Sequence, residues 1–343
     1  MTGRLEQYTM RPARVDDVDA VCDLCNEWAL RMRGFKTHDP VEERLEWQMP
    51  GFDLETDSRL VFTADGSLVA YASAWDTDEP HVRVGGFIRV HPDVDDADLE
   101  DSLFDWLEDR ARQAIERAPE GARVVLNIGS FSEDEHRREL LLRRGYELVR
   151  HFVRLRIEMD EAPGEVKWPE GVEVRPFDRD QHLRAVALAS REAFRDHWGH
   201  VEGSLEEELA QWNHWAYEDT DYDADTWHVA WDGSEVVGLS IGSAKRPEAE
   251  NLAYIYVLAV RRAWRGRGIA KALLRYSFGY YYGRGKTTVD LHADAANLTG
   301  AMRMYESVGM RQIWRNDSYQ KELRPGRDLA VKTLDEDKAE DSS

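Results

Sequence analysis

Two landmarks recur in this chain at one spacing, and that repeat constrains its fold more than any other feature. Arg11-Pro12 ends the strand-like run YTMRP, and Arg175-Pro176 ends VEVRP, 164 residues later. Gly145-Tyr146 follows the helix-like run HRRELLLRR, and Gly309-Met310 follows AMRMYESV, again 164 residues apart. Both glycines suit the position after a helix end, where the backbone turns left-handed. Self-similarity at one period reads as two copies of one domain. The 343 residues hold two domains of about 150–170 each. DEAPGEVKWPEG (160–171), rich in Pro, Gly and charge, is a natural connection. The expected division is therefore a first domain over 1–160, a linker over 161–171, a second domain over 172–324, and a charged, aperiodic, flexible tail over 325–343.

The second copy has the clearer element order. VEVRPF (172–177) is a predicted strand, and 180–195 a helix with apolar positions at Leu183, Val186, Ala187 and Phe194. A helix from Ser204 to about Trp215 opens on the capping box Ser204-Leu205-Glu206-Glu207. Asp232-Gly233 joins WHVAW (227–231) to VVGLSIGS (236–243) as a hairpin. AYIYVLAV (253–260) is a strand that runs into Arg-Gly-Arg-Gly and a helix over about 267–281. TTVDLHAD (287–294) is a strand, and a helix near 298–307 leads to a final hairpin, MRQIW and SYQKEL. The first copy repeats the order through RLVFTA (59–64), LVAYASAW (68–75), VGGFIRV (84–90), a helix over 99–117, ARVVLNI (122–128), a helix to about 144 and ELVRHFVRLRIEM. The class is α/β (α+β), each copy a mixed, mostly antiparallel sheet flanked by helices.

Charge narrows the partners. Acidic residues outnumber basic ones 67 to 45, a formal net charge of −22. Nucleic acid is bound by basic surfaces that release counter-ions, so the balance argues against it. A negative field steers cationic small molecules or basic peptides instead. The cations are 37 arginines against 8 lysines, a bias that a high-salt cytoplasm and a GC-rich genome both produce. No run of 18 or more apolar residues occurs and the N-terminal stretch lacks an apolar leader, so the expectation is a cytoplasmic protein with no membrane partner. Cys22 and Cys25 supply no disulfide framework and are expected to be buried on the first helix.

The sharpest chemical signal is Arg265-Gly266-Arg267-Gly268-Ile269-Ala270, between a strand and a helix. A helix N-terminus presents unpaired amides and the positive end of the macrodipole, glycines let backbone approach a phosphate, and two arginines add charge. This is pyrophosphate chemistry, yet the run matches neither a Walker loop nor a dinucleotide-binding turn. It does match the signature of the GNAT-type acyl-CoA transferases, Arg/Gln-x-x-Gly-x-Gly/Ala after a strand ending hydrophobic-x-Val: Leu258-Ala259-Val260, then Arg265-x-x-Gly268-x-Ala270. That family's second signature, Asn, Ala, Tyr and Gly in sequence, occurs as Asn297, Ala301, Tyr305 and Gly309. Spacings of four put the first three on nearly one helix face. The chain thus resembles the GNAT N-acetyltransferases strongly over about 172–324, and the duplication resembles the tandem members of that family.

The resemblance implies acetyl-CoA as co-substrate. Backbone around Leu258, Ala259 and Val260 would hold the pantetheine arm, and the amides of Arg265, Gly266, Arg267, Gly268, Ile269 and Ala270 the pyrophosphate. Asn297 would support pantetheine or the substrate amine, and Tyr305 would protonate the departing thiolate. Many members carry a Glu four residues before the Leu258 position; here it is Tyr254. His292, Asp290, His197 and Glu202 remain as bases acting through water. Acceptor selection is expected from 195–203, where His197 and Trp198 line a substrate-facing loop with Asp196 and Glu202 available to an ammonium, together with Tyr254. Two histidines and an acid without a third ligand at fixed spacing make no metal site.

In the first copy Asp95-Asp96-Ala97-Asp98-Leu99-Glu100 replaces the cradle, and Leu141 stands where the second copy has Tyr305. Carboxylates repel a pyrophosphate, so this copy reads as degenerate, structural or substrate-shaping. The expected function is N-acetyl transfer from acetyl-CoA to a primary amine of a small metabolite or antibiotic, by a monomer or homodimer. A protein amine acceptor and a non-catalytic acetyl-CoA-binding sensor stay open as alternatives.

Overall fold

The computed structural model describes residues 7–295 and 301–332. Its first half runs β1 (Tyr8–Arg11), α1 (Val18–Arg33), α2 (Pro40–Trp47), α3 (Leu54–Asp57), β2 (Ser58–Thr63), β3 (Leu68–Trp75), β4 (Arg83–Val90), α4 (Ala97–Arg112), α5 (Ala114–Arg117), β5 (Val124–Phe131), α6 (Glu135–Arg143) and β6 (Glu147–Glu158). Its second half runs β7 (Val172–Arg175), α7 (Arg179–Phe194), α8 (Leu205–Tyr217), β8 (Trp227–Asp232), β9 (Glu235–Ser243), β10 (Leu252–Val260), α9 (Ile269–Gly283), β11 (Thr288–Asp294), α10 (Ala301–Ser307) and β12 (Arg311–Arg324). Strand–helix order is the same in both, apart from the extra short helices of the first.

Local signals act where they stand. Ser204 accepts the Glu207 amide and starts α8. Asp232 faces Glu235 across a two-residue turn whose Gly233 has φ +60. Gly145 and Gly309, at φ +81 and +93, take the left-handed position after α6 and α10.

Two expectations change. The final hairpin is absent: β12 runs unbroken for 14 residues through Arg315-Asn316-Asp317. Asp317 is buried at 4% exposure and takes a 2.7 Å hydrogen bond from His151 and a 3.2 Å ion pair from Arg315, so this turn-forming carboxylate is satisfied in an extended backbone. The segment expected to be flexible from 325 is also held in part. The Arg327 amide donates to Gly121 O and the Arg123 amide to Arg327 O, while Val331 accepts from Gly199 and donates to His200 O. Residues 333–343 lie outside the described residues.

The chain forms two compact units, Met1–Val149 with Ser318–Leu329, and Arg150–Asp317 with Ala330–Ser343. In the first, the strand order is β1-β2-β3-β4-β5 and then the later part of β12. There Arg324 donates to the carbonyls of Ala122, Ile115 and Pro119, and Lys321 pairs with Glu108 at 2.6 Å. In the second, the order is the earlier part of β12, then β6-β11-β10-β9-β8-β7. Each unit is thus completed by the last strand of the other half of the sequence.

In the second unit β6 pairs antiparallel with β11 from Phe152↔Asp294 to Glu158↔Thr288. Its Val153 and Leu155 are buried with Ala253, Ile255, Leu274, Phe278, Val289, Leu291 and Tyr305 under α9 and α10. The opposite face of β8–β10 is covered by α7 and α8 through Leu183, Val186, Ala187, Trp212, Trp227, Val229, Leu239 and Ala259. Alternation along β6 and β11 turns Arg154, Arg156 and Asp290 to that second face. Asp290 has no exposed surface, and both arginines reach it: Arg154 Nε at 2.6 Å, Arg156 Nε at 2.8 Å and Nη2 at 2.9 Å. Replacing Asp290 by Ala strands two guanidiniums against a buried strand pair and should cost about 3–5 kcal/mol. Urea unfolding should show that loss as a lower midpoint with an unchanged slope.

Candidate active site

The turn before α9 is built to receive an anion. Gly266 and Gly268 have φ of +76 and +89, and nothing lies within 4 Å of where a Cβ on either would stand. Gly268 is the N-cap and offers no side chain to the helix. From Gly266 through Lys271 no backbone amide has a hydrogen-bond partner among the described residues. Elsewhere the chain supplies its own anion: Asp39, Asp96, Asp134 and Asp178 cap α2, α4, α6 and α7 with their carboxylates. Open amides at the positive end of a 15-residue helix are what a pyrophosphate needs.

Side chains of the motif take other duties. Arg265 forms a two-pronged pair with Asp196 at the end of α7 and donates to Ala193 O at 2.6 Å, so it anchors the loop. That pairing holds the Asp196 carboxyl below its ordinary range against the opposing effect of burial, and it removes Asp196 from any acceptor role. Arg267 stands 3.6 Å from Asp232, Ile269 is buried in the core, and Ala270 is half-buried. Lys271, in the first turn of α9, has no ion pair among the described residues and was missed because the motif ends one residue before it.

Just upstream, β10 and β11 part. Their parallel pairing runs from Leu252↔Thr288 to Ile255↔Leu291 and stops, although β10 continues to Val260. Between Ile255 and Val257 the register of β10 against β9 slips, leaving Tyr256 as a bulge. Ala253, Ile255, Leu258 and Val260 therefore face α9 and α10, whereas Val257 and Ala259 join Tyr254 on the α7/α8 face. The gap so opened has Tyr305 on one side. Its ring is buried at 8% exposure among Ile255, Leu291 and Leu258, its phenol has no hydrogen-bond partner among the described residues, and burial pushes its pKa up to about 12. Asn297 lies outside the described residues.

The other side is polar. Tyr254, buried at 8% exposure and raised to about 12 by burial, is hydrogen-bonded through its hydroxyl to His292 Nδ1. The His292 ring meets Trp314 edge-on at 4.8 Å. Arg154 and Arg246 lie over the Tyr254 ring at 5.3 and 5.1 Å, and both pair with Glu248. Arg246 also donates to Tyr256 Oη at 2.7 Å. Arg154 and Trp314 could not be found as site residues from a reading by halves: β6 belongs to the other copy in sequence, and β12 was read as a hairpin.

The loop 195–203 places Trp198 beside the Arg150 guanidinium, 5.1 Å from its ring, while Arg150 grips Asp294 with bonds of 2.7–3.0 Å. His197 packs edge-on to Phe194 at 4.6 Å, and burial lowers its pKa, so it is neutral. Glu202 is taken by Arg191 and Arg195 at 3.2 and 3.3 Å. Among the described residues no group of three or more His, Cys, Asp or Glu can hold a metal ion, and no helix is long and apolar enough to cross a membrane.

The equivalent place in the first unit is closed. β4 and β5 also pair only from Arg83↔Val125 to Gly86↔Ile128, but β4 runs against β3 without a bulge. Beyond that point Arg89, Trp28, Phe131 and Arg33 form one stack, with guanidinium-to-ring distances of 3.6 and 3.0 Å and a ring separation of 5.5 Å. At the head of α4 the Asp96 carboxylate accepts the Asp98 and Leu99 amides, occupying the anion position internally. Leu141 is fully buried.

Val331 makes two backbone bonds to the Trp198 loop, 2.7 Å from Gly199 N and 2.9 Å to His200 O. A chain ending at Leu329 should lose amide protection over 197–202 in hydrogen exchange, with α9 unchanged.

Comparison with known proteins agrees with this geometry. Residues 187–310 match the model of the "Acetyltransferase (GNAT) family". The chain is 29% identical over 296 residues, 85% of its length and 87% of the other's, to the mycothiol acetyltransferase of Streptomyces scabiei. A GCN5-related N-acetyltransferase structure from Sphaerobacter thermophilus superposes with a TM-score of 0.75 at 29% identity, over 94% of this chain and 98% of that one. A tandem GNAT protein of the clavulanic acid biosynthesis pathway shares the fold at a TM-score of 0.67 and 14% identity, over 93% and 100% of the two chains. The chain belongs to the GNAT acetyltransferase family and is an acyltransferase.

Proposed function

We propose that this chain transfers an acetyl group from acetyl-CoA to a primary amine of a small metabolite, and that the second half of the sequence carries the reaction. The observation behind this reading is the run of open amides from Gly266 through Lys271, next to the place where β10 leaves β11. In this reading those amides and Lys271 receive the pyrophosphate. Backbone of Leu258, Ala259 and Val260, with no β11 neighbour, receives the pantetheine arm. Asn297 keeps the supporting role that the resemblance gives it.

The amine attacks the thioester carbonyl carbon from the Tyr254 side of the gap; the C–N bond forms and the C–S bond breaks toward Tyr305. Tyr305 gives its proton to the departing sulfur, and the proton shed by the acylated nitrogen as it becomes an amide passes through solvent to restore the phenol. Burial that raises the phenol to about 12 also raises the proton affinity of a thiolate beside it, so the transfer stays matched. Positioning supplies the larger share of the rate. His197, Trp198 and Tyr254 bound the acceptor side. Likeness to the mycothiol acetyltransferases over most of both chains supports a small-molecule acceptor and makes the acceptor of those enzymes the first to test. The first half, stacked shut and carrying its own anion, is in this reading a structural partner.

Thiol release from acetyl-CoA against a panel of amines, including that acceptor, tests the proposal directly; silence across the panel with acetyl-CoA still bound would replace it with a binding protein. Calorimetry should find one acetyl-CoA per chain, because only one cradle is open among the described residues. Tyr305→Phe should lower kcat by about 10²-fold or more while leaving acetyl-CoA affinity within about twofold.

A further inference from the structure

We infer that Tyr254 and His292 act as one proton relay, with the Tyr254 hydroxyl meeting the acceptor amine and His292 Nδ1 taking the proton. This rests on the acetyl-transfer reading above and identifies the group that activates the acceptor. Elimination points to it. Asp290 is fully buried and spent on two guanidiniums. Glu202 is spent on Arg191 and Arg195, and Asp196 on Arg265. His197 is packed against Phe194 and made a weaker base by burial. Glu248 is held by Arg154 and Arg246.

What remains is a hydrogen-bonded pair at the edge of the gap. Tyr254 lies on the last residues where β10 still pairs with β11, two positions before the bulge-shifted Tyr256. His292 lies across from it on β11, one residue past the last paired position, and is exposed to solvent. Groups beside the imidazole include Tyr254 on β10, Arg154 directly opposite on β6, Trp314 on β12, Asp290 and Asp294 on its own strand, and Arg246 with Glu248 before β10. Its two carboxylate neighbours on β11 are both paired with arginines.

The step balances without any further reactant. An alkylammonium gives one proton to Tyr254 Oη as the hydroxyl proton passes to His292 Nδ1. The amine is left neutral with its lone pair available, Tyr254 ends neutral, and the imidazolium loses its proton to water from its exposed ring. A phenol raised by burial never rests as phenolate, which suits a group that relays a proton without storing it.

Tyr254→Phe, which keeps the ring and its packing, and His292→Asn are the test, alone and combined, with the full chain and the acceptor found above. Each should lower kcat/KM near neutral pH by about 10²-fold, with thermal midpoint and acetyl-CoA affinity unchanged. The double variant should lose no more than either single one, since the pair acts as a unit. The deficit should shrink by about tenfold per pH unit as the solution itself deprotonates the amine. Losses that multiply in the double variant, or a Tyr254→Phe protein with wild-type kcat/KM and pH profile, would overturn the relay while leaving acetyl transfer intact. A wild-type protein that acetylates no amine overturns both.

Discussion

Asp290 dictates more of this molecule than its size suggests. A carboxylate without any exposed surface is tolerable only when cations and hydrogen bonds replace its water. Arg154 and Arg156 do that, and both arrive on β6, which the sequence assigns to the other half. A slip of one residue in β6 would turn both guanidiniums to the apolar face and bring Val153 or Leu155 over the charge. The pair therefore fixes register, and register fixes which side chains floor the acceptor side of the gap. Tyr254, His292 and Trp314 depend on that placement as much as Arg154 does.

The gap itself comes from one added residue. β4 and β10 occupy equivalent places in the two halves, and both leave their parallel neighbour after four paired positions. Only β10 carries a bulge. That bulge exchanges the faces of everything after it, so Val257 and Ala259 share a side with Tyr254 while Leu258 turns to Tyr305. Tyr305 and the Tyr254–His292 pair are thereby set on opposite sides of one opening. In the first half the unbulged strand leaves Arg89 to stack on Trp28, and the opening is filled.

Much of this was legible in advance because it is local. Asp232-Gly233, the Ser204 cap, the glycines after α6 and α10, and the cradle glycines each act within a few residues of themselves. The failures are all long-range. Arg315-Asn316-Asp317 has turn-forming side chains, and nothing nearby reveals that His151 will satisfy Asp317 in a straight strand. Arg265 looked like a phosphate ligand until Asp196, 69 residues away, was found to hold it. Asp196 looked available to an ammonium for the same reason. Arg154 lay in the wrong half to be considered at all. His292 is one of four bases that the sequence offers, and no local signal announces its hydrogen bond to Tyr254, 38 residues away.

Exchange of the last strands has a consequence for how such a chain can change. After duplication, a copy that loses its ligand site would ordinarily be dispensable. Here the first half owns β6, which pairs with β11 and brings two arginines to Asp290, and it in turn receives β12 beside β5. Deleting the first half removes the interior strand β6 from the second unit, and deleting the second half strips β12 from β5 and leaves that edge unpaired. The two halves are thus held in mutual obligation, each kept in place by the strand it lends to the other.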